Sequence, residues 1–294
     1  MSEFEFLRHV TIGQYLPTGS AVHRLDPRAK MLMAALLVLG AVLSSSAIAL
    51  SAALAVVLIG LVAARIPLRY AVQGLRPALP FLIFLALLQV FTIPANDIGT
   101  VLWQWWRITI TLTDLRAALA MLLRFAVLIL GLSLFSFTTS LTELTHGSEH
   151  LLRPFQRVGL PAHELALVAA IAIRYVPLLA LEAERIAKAQ ASRGADFGRG
   201  GGNAFRRAVR MLPLLVPLFV AALRRGETLV LAMEARNYSG GKGRTHLIHL
   251  QARCADVVAI GLVALLAAGL IAAGRANLDA RLWHWVVRMG QALT

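Results

Sequence analysis

Ala117–Phe137 reads AALAMLLRFAVLILGLSLFSF, 21 residues with a single charge at Arg124. At 1.5 Å of rise per residue, such a helix is long enough to cross a hydrocarbon layer about 30 Å thick. Further apolar runs lie at Met31–Leu43, Ala47–Ala64, Ala78–Ile93 and Ala255–Ala273. Together they predict five spans. Only Ser44–Ser46 separates the first two, which implies a tight helical hairpin. Composition agrees: 58% of the 294 residues are hydrophobic, 15% are charged and the mean hydropathy is +0.71. The expected fold class is all-α, a polytopic membrane protein with a cytoplasmic domain of long helices.

The distribution of cations sets the orientation. With the amino terminus inside, the cytoplasm holds Arg8, Arg24, Arg28 and Lys30, then Arg65, Arg69 and Arg76, then sixteen Lys and Arg residues from Arg153 to Arg253. The far side holds only Arg107, Arg116, Arg275, Arg281 and Arg288. The positive-inside rule therefore puts the amino terminus in the cytoplasm, with Trp103, Trp105 and Trp106 fitting an outer aromatic belt. The net charge of +14 is topological on this reading, and nucleic acid is not an expected partner. MSEFEFLRHV, at the start, is acidic and does not read as a signal peptide. A lone cysteine, Cys254, excludes a disulfide framework.

Leu165–Leu181 and Met211–Leu223 are also apolar, but they contain Arg174, Pro177, Pro213 and Pro217. Were both to cross, Glu182–Arg210 would carry seven cations outside. They are expected to be long helices with buried apolar faces and wet basic faces. The chain then divides into a lead and four spans over 1–137, a coupling-helix region over 138–251, and a last span with its tail over 252–294. Within the middle region, helices are expected at Thr142–Val158, Ala162–Arg193 and Ala204–Arg236. The tail, with Trp283 and Trp285 among basic residues, suits an interfacial helix.

Two of these helices end alike, at Ala191-Ser192-Arg193-Gly194 and at Glu234-Ala235-Arg236-Asn237. Glycine and asparagine are the residues that best tolerate a left-handed helix stop, and an arginine there complements the helix dipole. The same arginine also projects a five-donor fork suited to a partner's carboxylates or carbonyls. Spacing alone leaves capping and docking open.

Other chemistry is weaker. His146 and His150, with Glu143 a turn earlier, have metal-compatible spacing on a wet helix. His163-Glu164 begins a zinc-protease-like string that fails at Leu167. Ser239-Gly240-Gly241-Lys242-Gly243 lacks the rest of a phosphate loop. Asp256 at the start of the last span is placed close enough to the interface to be solvated, and Arg124 is expected to pair internally or with a subunit. No catalytic, cofactor or metal residue is assigned on this chain.

Gly13-Gln14-Tyr15-Leu16-Pro17, Ser20, His23-Arg24-Leu25-Asp26-Pro27-Arg28-Ala29-Lys30, Ala189-Gln190-Ala191-Ser192-Arg193-Gly194 and Ala232-Met233-Glu234-Ala235-Arg236, in that order, resemble the transmembrane T component of energy-coupling factor transporters, importers of the ABC class. The resemblance covers nearly the whole chain. It implies a non-catalytic scaffold in the cell (inner) membrane for vitamin or metal uptake. Its partners would be two cytoplasmic ABC ATPases, which bind the ATP, and a membrane-embedded substrate-binding S component. It further implies that Ser192, Arg193, Gly194, Ala235, Arg236 and Asn237 form the ATPase-docking tips. Ser192 stands where the family has alanine and Asn237 where it has glycine. An ordinary ABC permease would usually carry one coupling loop per subunit, and an intramembrane enzyme would show clustered catalytic groups in its spans.

Overall fold

The computed structural model describes residues 15–92, 101–105, 108–159, 161–195, 204–240 and 253–276. The tail, including Trp283 and Trp285, and the segments 196–203 and 241–252 lie outside the described residues. The helices are α1 (Pro27–Leu43), α2 (Ala47–Ala63), α3 (Leu68–Leu75), α4 (Leu79–Thr92), α5 (Leu112–Thr138), α6 (Leu141–Leu152), α7 (Ala162–Ser192), α8 (Ala204–Ala235) and α9 (Cys254–Arg275). A short antiparallel hairpin, β1 (Val101–Trp105) and β2 (Ile108–Thr111), precedes α5, with Trp103 opposite Ile110 and Trp105 opposite Ile108.

By length and composition, Asp114–Thr138, Ala162–Ser192 and Cys254–Arg275 can each cross a membrane, and α3 with α4, bent by 55° at their junction, can form a fourth span. The chain is an all-α polytopic membrane protein. Several details depart from the sequence expectation: α1 and α2, the first two expected spans, have 17 residues each and are shorter than the three single helices just named, and the hairpin was not expected. The third span is not a single run at Ala78–Ile93: α4 has 14 residues, about 21 Å of helix, and amphipathic α3 precedes it across the bend. The helix expected at Thr142–Val158 ends at Leu152 and tightens into a 3₁₀ turn, Arg153–Val158, with Pro154 at its start and Gly159 (φ +91°) as the stop. α7 passes the length test although the charge pattern argues against its crossing. The seven cations of Glu182–Arg210, not its apolarity, separate the two readings.

Local chemistry starts the helices where they start. Asp26 caps α1 by accepting from the Arg28 N–H at 2.9 Å, with Pro27 at the first helical position. Ser46 caps α2 through the Ala49 N–H at 3.3 Å. The chain divides into two compact units, one holding Ser148–His249 with Met1–Gly13, the other Gln14–Gly147 with Leu250–Thr294. In the second, α2 packs on α5 and α1 on α9 around Leu50, Val57, Leu61, Val127, Leu130, Phe137 and Leu270. Small residues bring α1 and α9 together, as is usual where lipid removes the hydrophobic drive between helices. A Cβ at Gly40 would stand 2.9 Å from the Ala267 Cα, and one at Gly274 would stand 2.8 Å from the Ser45 N.

Gly40→Leu is therefore expected to force α1 from α9 and destabilise the unit by about 1–3 kcal/mol, as overpacking does. Thermal unfolding in detergent checks this: Gly261→Leu, in open space on the same α9, should leave the midpoint unchanged.

Candidate functional site

The two helix tips singled out in the sequence adopt one geometry. In α7, Arg193 is the C-cap, Gly194 has φ +82°, its N–H donates to the Ala191 carbonyl at 3.0 Å, and the Ala195 N–H donates to the Gln190 carbonyl at 3.0 Å. In α8, Asn237 has φ +56°, its N–H donates to the Glu234 carbonyl at 2.9 Å, and the Tyr238 N–H donates to the Met233 carbonyl at 2.9 Å. Both are Schellman stops, satisfying carbonyls the helix leaves unpaired. Asn237 accepts the left-handed conformation without glycine's freedom, so the two tips keep the same hydrogen-bond pattern. At the first tip the Ser192 hydroxyl donates to the Lys188 carbonyl at 3.0 Å, within its own helix.

Ser192, Arg193 and Gly194, like Ala235, Arg236 and Asn237, are exposed. Among the described residues neither Arg193 nor Arg236 forms a salt bridge, and both guanidinium forks are available to a partner. α7 and α8 pack together and are joined by an ion pair, Arg225 Nη2 to Glu182 Oε2 at 2.9 Å. Arg193 lies 11 residues beyond Glu182, and Arg236 lies 11 residues beyond Arg225. Each arginine therefore stands about three turns, roughly 16 Å of helix, past the shared contact. Sequence reasoning missed this equality because nothing local marks Glu182 and Arg225 as partners. On α8, Phe205, Val209, Leu212, Val216, Phe219 and Leu223 repeat at alternating steps of four and three and are all exposed. That spacing is the seam used for helix-on-helix packing.

The amino-terminal motif forms a polar knot in the other unit. The Lys30 ammonium is buried and donates to the His23 carbonyl at 2.9 Å and the Thr138 carbonyl at 2.8 Å, with the Glu143 carboxylate 3.7 Å away. His23 Nε2 donates to the Leu16 carbonyl at 2.8 Å, which leaves Nδ1 to accept from the Ser20 hydroxyl at 2.7 Å. Asp256, expected to be solvated, is 2% exposed instead. One of its oxygens accepts from the Asp26 N–H at 2.8 Å and the other from the Arg253 N–H at 2.7 Å, so backbone donors replace water. Arg124 pairs internally, donating from Nη2 to the Ser44 carbonyl at 2.6 Å in the α1–α2 turn.

The metal and hydrolase strings find no support in the geometry. His163 Nδ1 bonds Glu149 Oε1 at 2.8 Å, and among the described residues no group of three or more His, Cys, Asp or Glu side chains converges on a common point.

Asp256→Ala would strand the N–H groups of Asp26 and Arg253. A loss of about 2–5 kcal/mol is expected, against a smaller loss for Asp256→Asn, which keeps an acceptor oxygen. Comparison of unfolding midpoints in detergent decides it.

Residues 18–247 match the family described as CbiQ, Cobalt transport protein. A protein of Acidaminococcus fermentans named Energy-coupling factor transporter transmembrane protein EcfT is 42% identical over 88% of this chain and 94% of its own length. Proteins of the same name from Thermosediminibacter oceani and Thermanaerovibrio acidaminovorans are 42% and 40% identical, over 90% and 91% of this chain and 98% and 97% of theirs. With such likeness running from the amino-terminal knot through both helix tips, the chain belongs to the family of transmembrane T components of energy-coupling factor transporters.

Proposed function

We propose that this chain is the non-catalytic scaffold of an importer in the cell (inner) membrane, amino terminus in the cytoplasm. It couples ATP binding and hydrolysis by two partner ABC ATPases to movement of a membrane-embedded S component that carries a vitamin or metal. The observation that carries the reading is the pair of equivalent exposed tips, each offering an unpaired arginine at a left-handed stop and equally far from the ion pair joining their helices. One tip per ATPase is the natural stoichiometry for two such arms. Arg193 and Arg236 dock by donating to carboxylates or carbonyls of the ATPases, with Ser192, Gly194, Ala235 and Asn237 shaping the tips. The exposed seam on α8 is the surface offered to the S component. ATP and solute are held by other chains.

Charge reversal tests docking. Arg193→Glu with Arg236→Glu is expected to abolish copurification of the ATPases while membrane insertion persists; ATPase recovery equal to that of the wild type would reject the assignment. Topology is tested separately by introducing cysteines between Arg199 and Arg210, on a background with Cys254→Ser. Impermeant maleimide added to intact cells is expected to leave them unlabelled, and labelling there would make α7 and α8 spans.

A further inference from the structure

Two adjoining cavities in the unit built on α1, α2, α5 and α9 differ sharply in chemistry. The first, about 510 Å³, lies between the turn Gly19–Leu25, the end of α2 and the start of α9. Arg24, Arg65 and Arg253 line it, all three exposed, and among the described residues none of them forms a salt bridge. The one carboxylate in the wall, Asp256, has both oxygens occupied by backbone N–H groups. Ala255, in the first turn of the 22-residue α9, adds the positive end of that helix. Arg65 holds φ +54°, a conformation that disfavours a side chain other than glycine or asparagine.

The second cavity, about 210 Å³, is lined almost entirely by apolar atoms, among them Ala34, Leu37, Val57 and Leu266. Leu25 lines both. From Ala63 to Val57 along α2, and from Asp256 to Val263 along α9, the apolar slot, which begins at Leu25 and Gly60, reaches about 10 Å deeper than the arginine cavity, at 1.5 Å per residue. A cationic basin at helix ends, sharing Leu25 in its wall with an apolar slot that reaches one to two turns deeper, has the layout of a phospholipid.

We propose that this pair of cavities binds an anionic phospholipid, its phosphate among Arg24, Arg65 and Arg253 and an acyl chain in the slot beside Ala34 and Leu266. Basic pockets between membrane helices take lipid headgroups in this way, and a guanidinium fork matches two phosphate oxygens. Assigning the lipid to the cytoplasmic leaflet rests on the orientation proposed above; headgroup binding itself does not.

Native mass spectrometry of the full-length chain, released from detergent with equal amounts of dioleoyl phosphatidylglycerol and dioleoyl phosphatidylcholine, tests this. Phosphatidylglycerol is expected to be retained preferentially. Each of Arg24→Gln, Arg65→Gln and Arg253→Gln should lower its retention about five-fold, and the three together about a hundred-fold. Ala34→Phe, which fills the slot and leaves the arginines in place, should lower it too, so the result does not depend on the triple variant folding. Equal retention of the two lipids overturns the proposal. So does an Arg69→Gln loss as large as that of the triple variant, which would mean general surface charge. Displacement by equimolar glycerol 3-phosphate would assign the basin to a soluble phosphate and likewise overturn it.

Discussion

A backbone N–H at the rim of a hydrocarbon layer has little water to turn to, and Asp256 answers that constraint for two distant segments at once. Its carboxylate takes the N–H of Asp26, the residue that caps α1, and the N–H of Arg253, which opens α9. α1 and α9, the first and last helices of that unit, are thereby tied at one end by a single side chain. Gly40 and Gly274 can then bring α1 and α9 into close contact along their length. Lys30, one turn into α1, extends the tie to the end of α5 through the Thr138 carbonyl. Buried polar groups in this setting are costly when unpaired, so the knot selects one arrangement of helix ends. The motif His23–Lys30 is thus an anchor in the membrane unit.

The packed helices α7 and α8 end by the same means, satisfied carbonyls. A helix that ends abruptly must satisfy its last carbonyls locally. A Schellman stop does so by closing two hydrogen bonds over the last turn, and both tips close them with matching partners. Among the described residues one ion pair joins the two helices, Arg225 to Glu182, placed 11 residues before each arginine. Half-exposed and bordered by apolar surface, that pair contributes less to stability than to register, since surface ion pairs are worth about 0–1 kcal/mol.

How much of this was legible in the sequence follows the distance over which each signal acts. Gly194 and Asn237 announce their stops within four residues, and the structure has left-handed conformations at both. Long apolar runs likewise announced α5 and α9. The hairpin Val101–Thr111 carried a local signal, alternating aromatic and β-branched residues, that an expectation of helices passed over. The bend between α3 and α4 was hidden because each piece is shorter than a span. The role of Asp256 was not readable at all: its partner Asp26 is 230 residues away, and burial of a charge at a helix start is decided by tertiary contacts. The same holds for Glu182 with Arg225.

The arginines, taken together, show why basicity is a poor guide to function in a membrane protein and why acceptors are a better one. Most of the 29 Lys and Arg residues are accounted for by the orientation proposed above. Arg124 is explained by the Ser44 carbonyl and Arg225 by Glu182. What is left is small: cations that gather at a helix tip or around a cavity and form no salt bridge among the described residues. Arg193 and Arg236 form the first set, and Arg24, Arg65 and Arg253 the second. In the second set the wall holds one carboxylate, Asp256, against three guanidinium groups, so the basin stays net positive. The carboxylate that ties α1 to α9 thus borders the cavity without forming an ion pair to its arginines among the described residues, and anchor and basin meet at the start of α9.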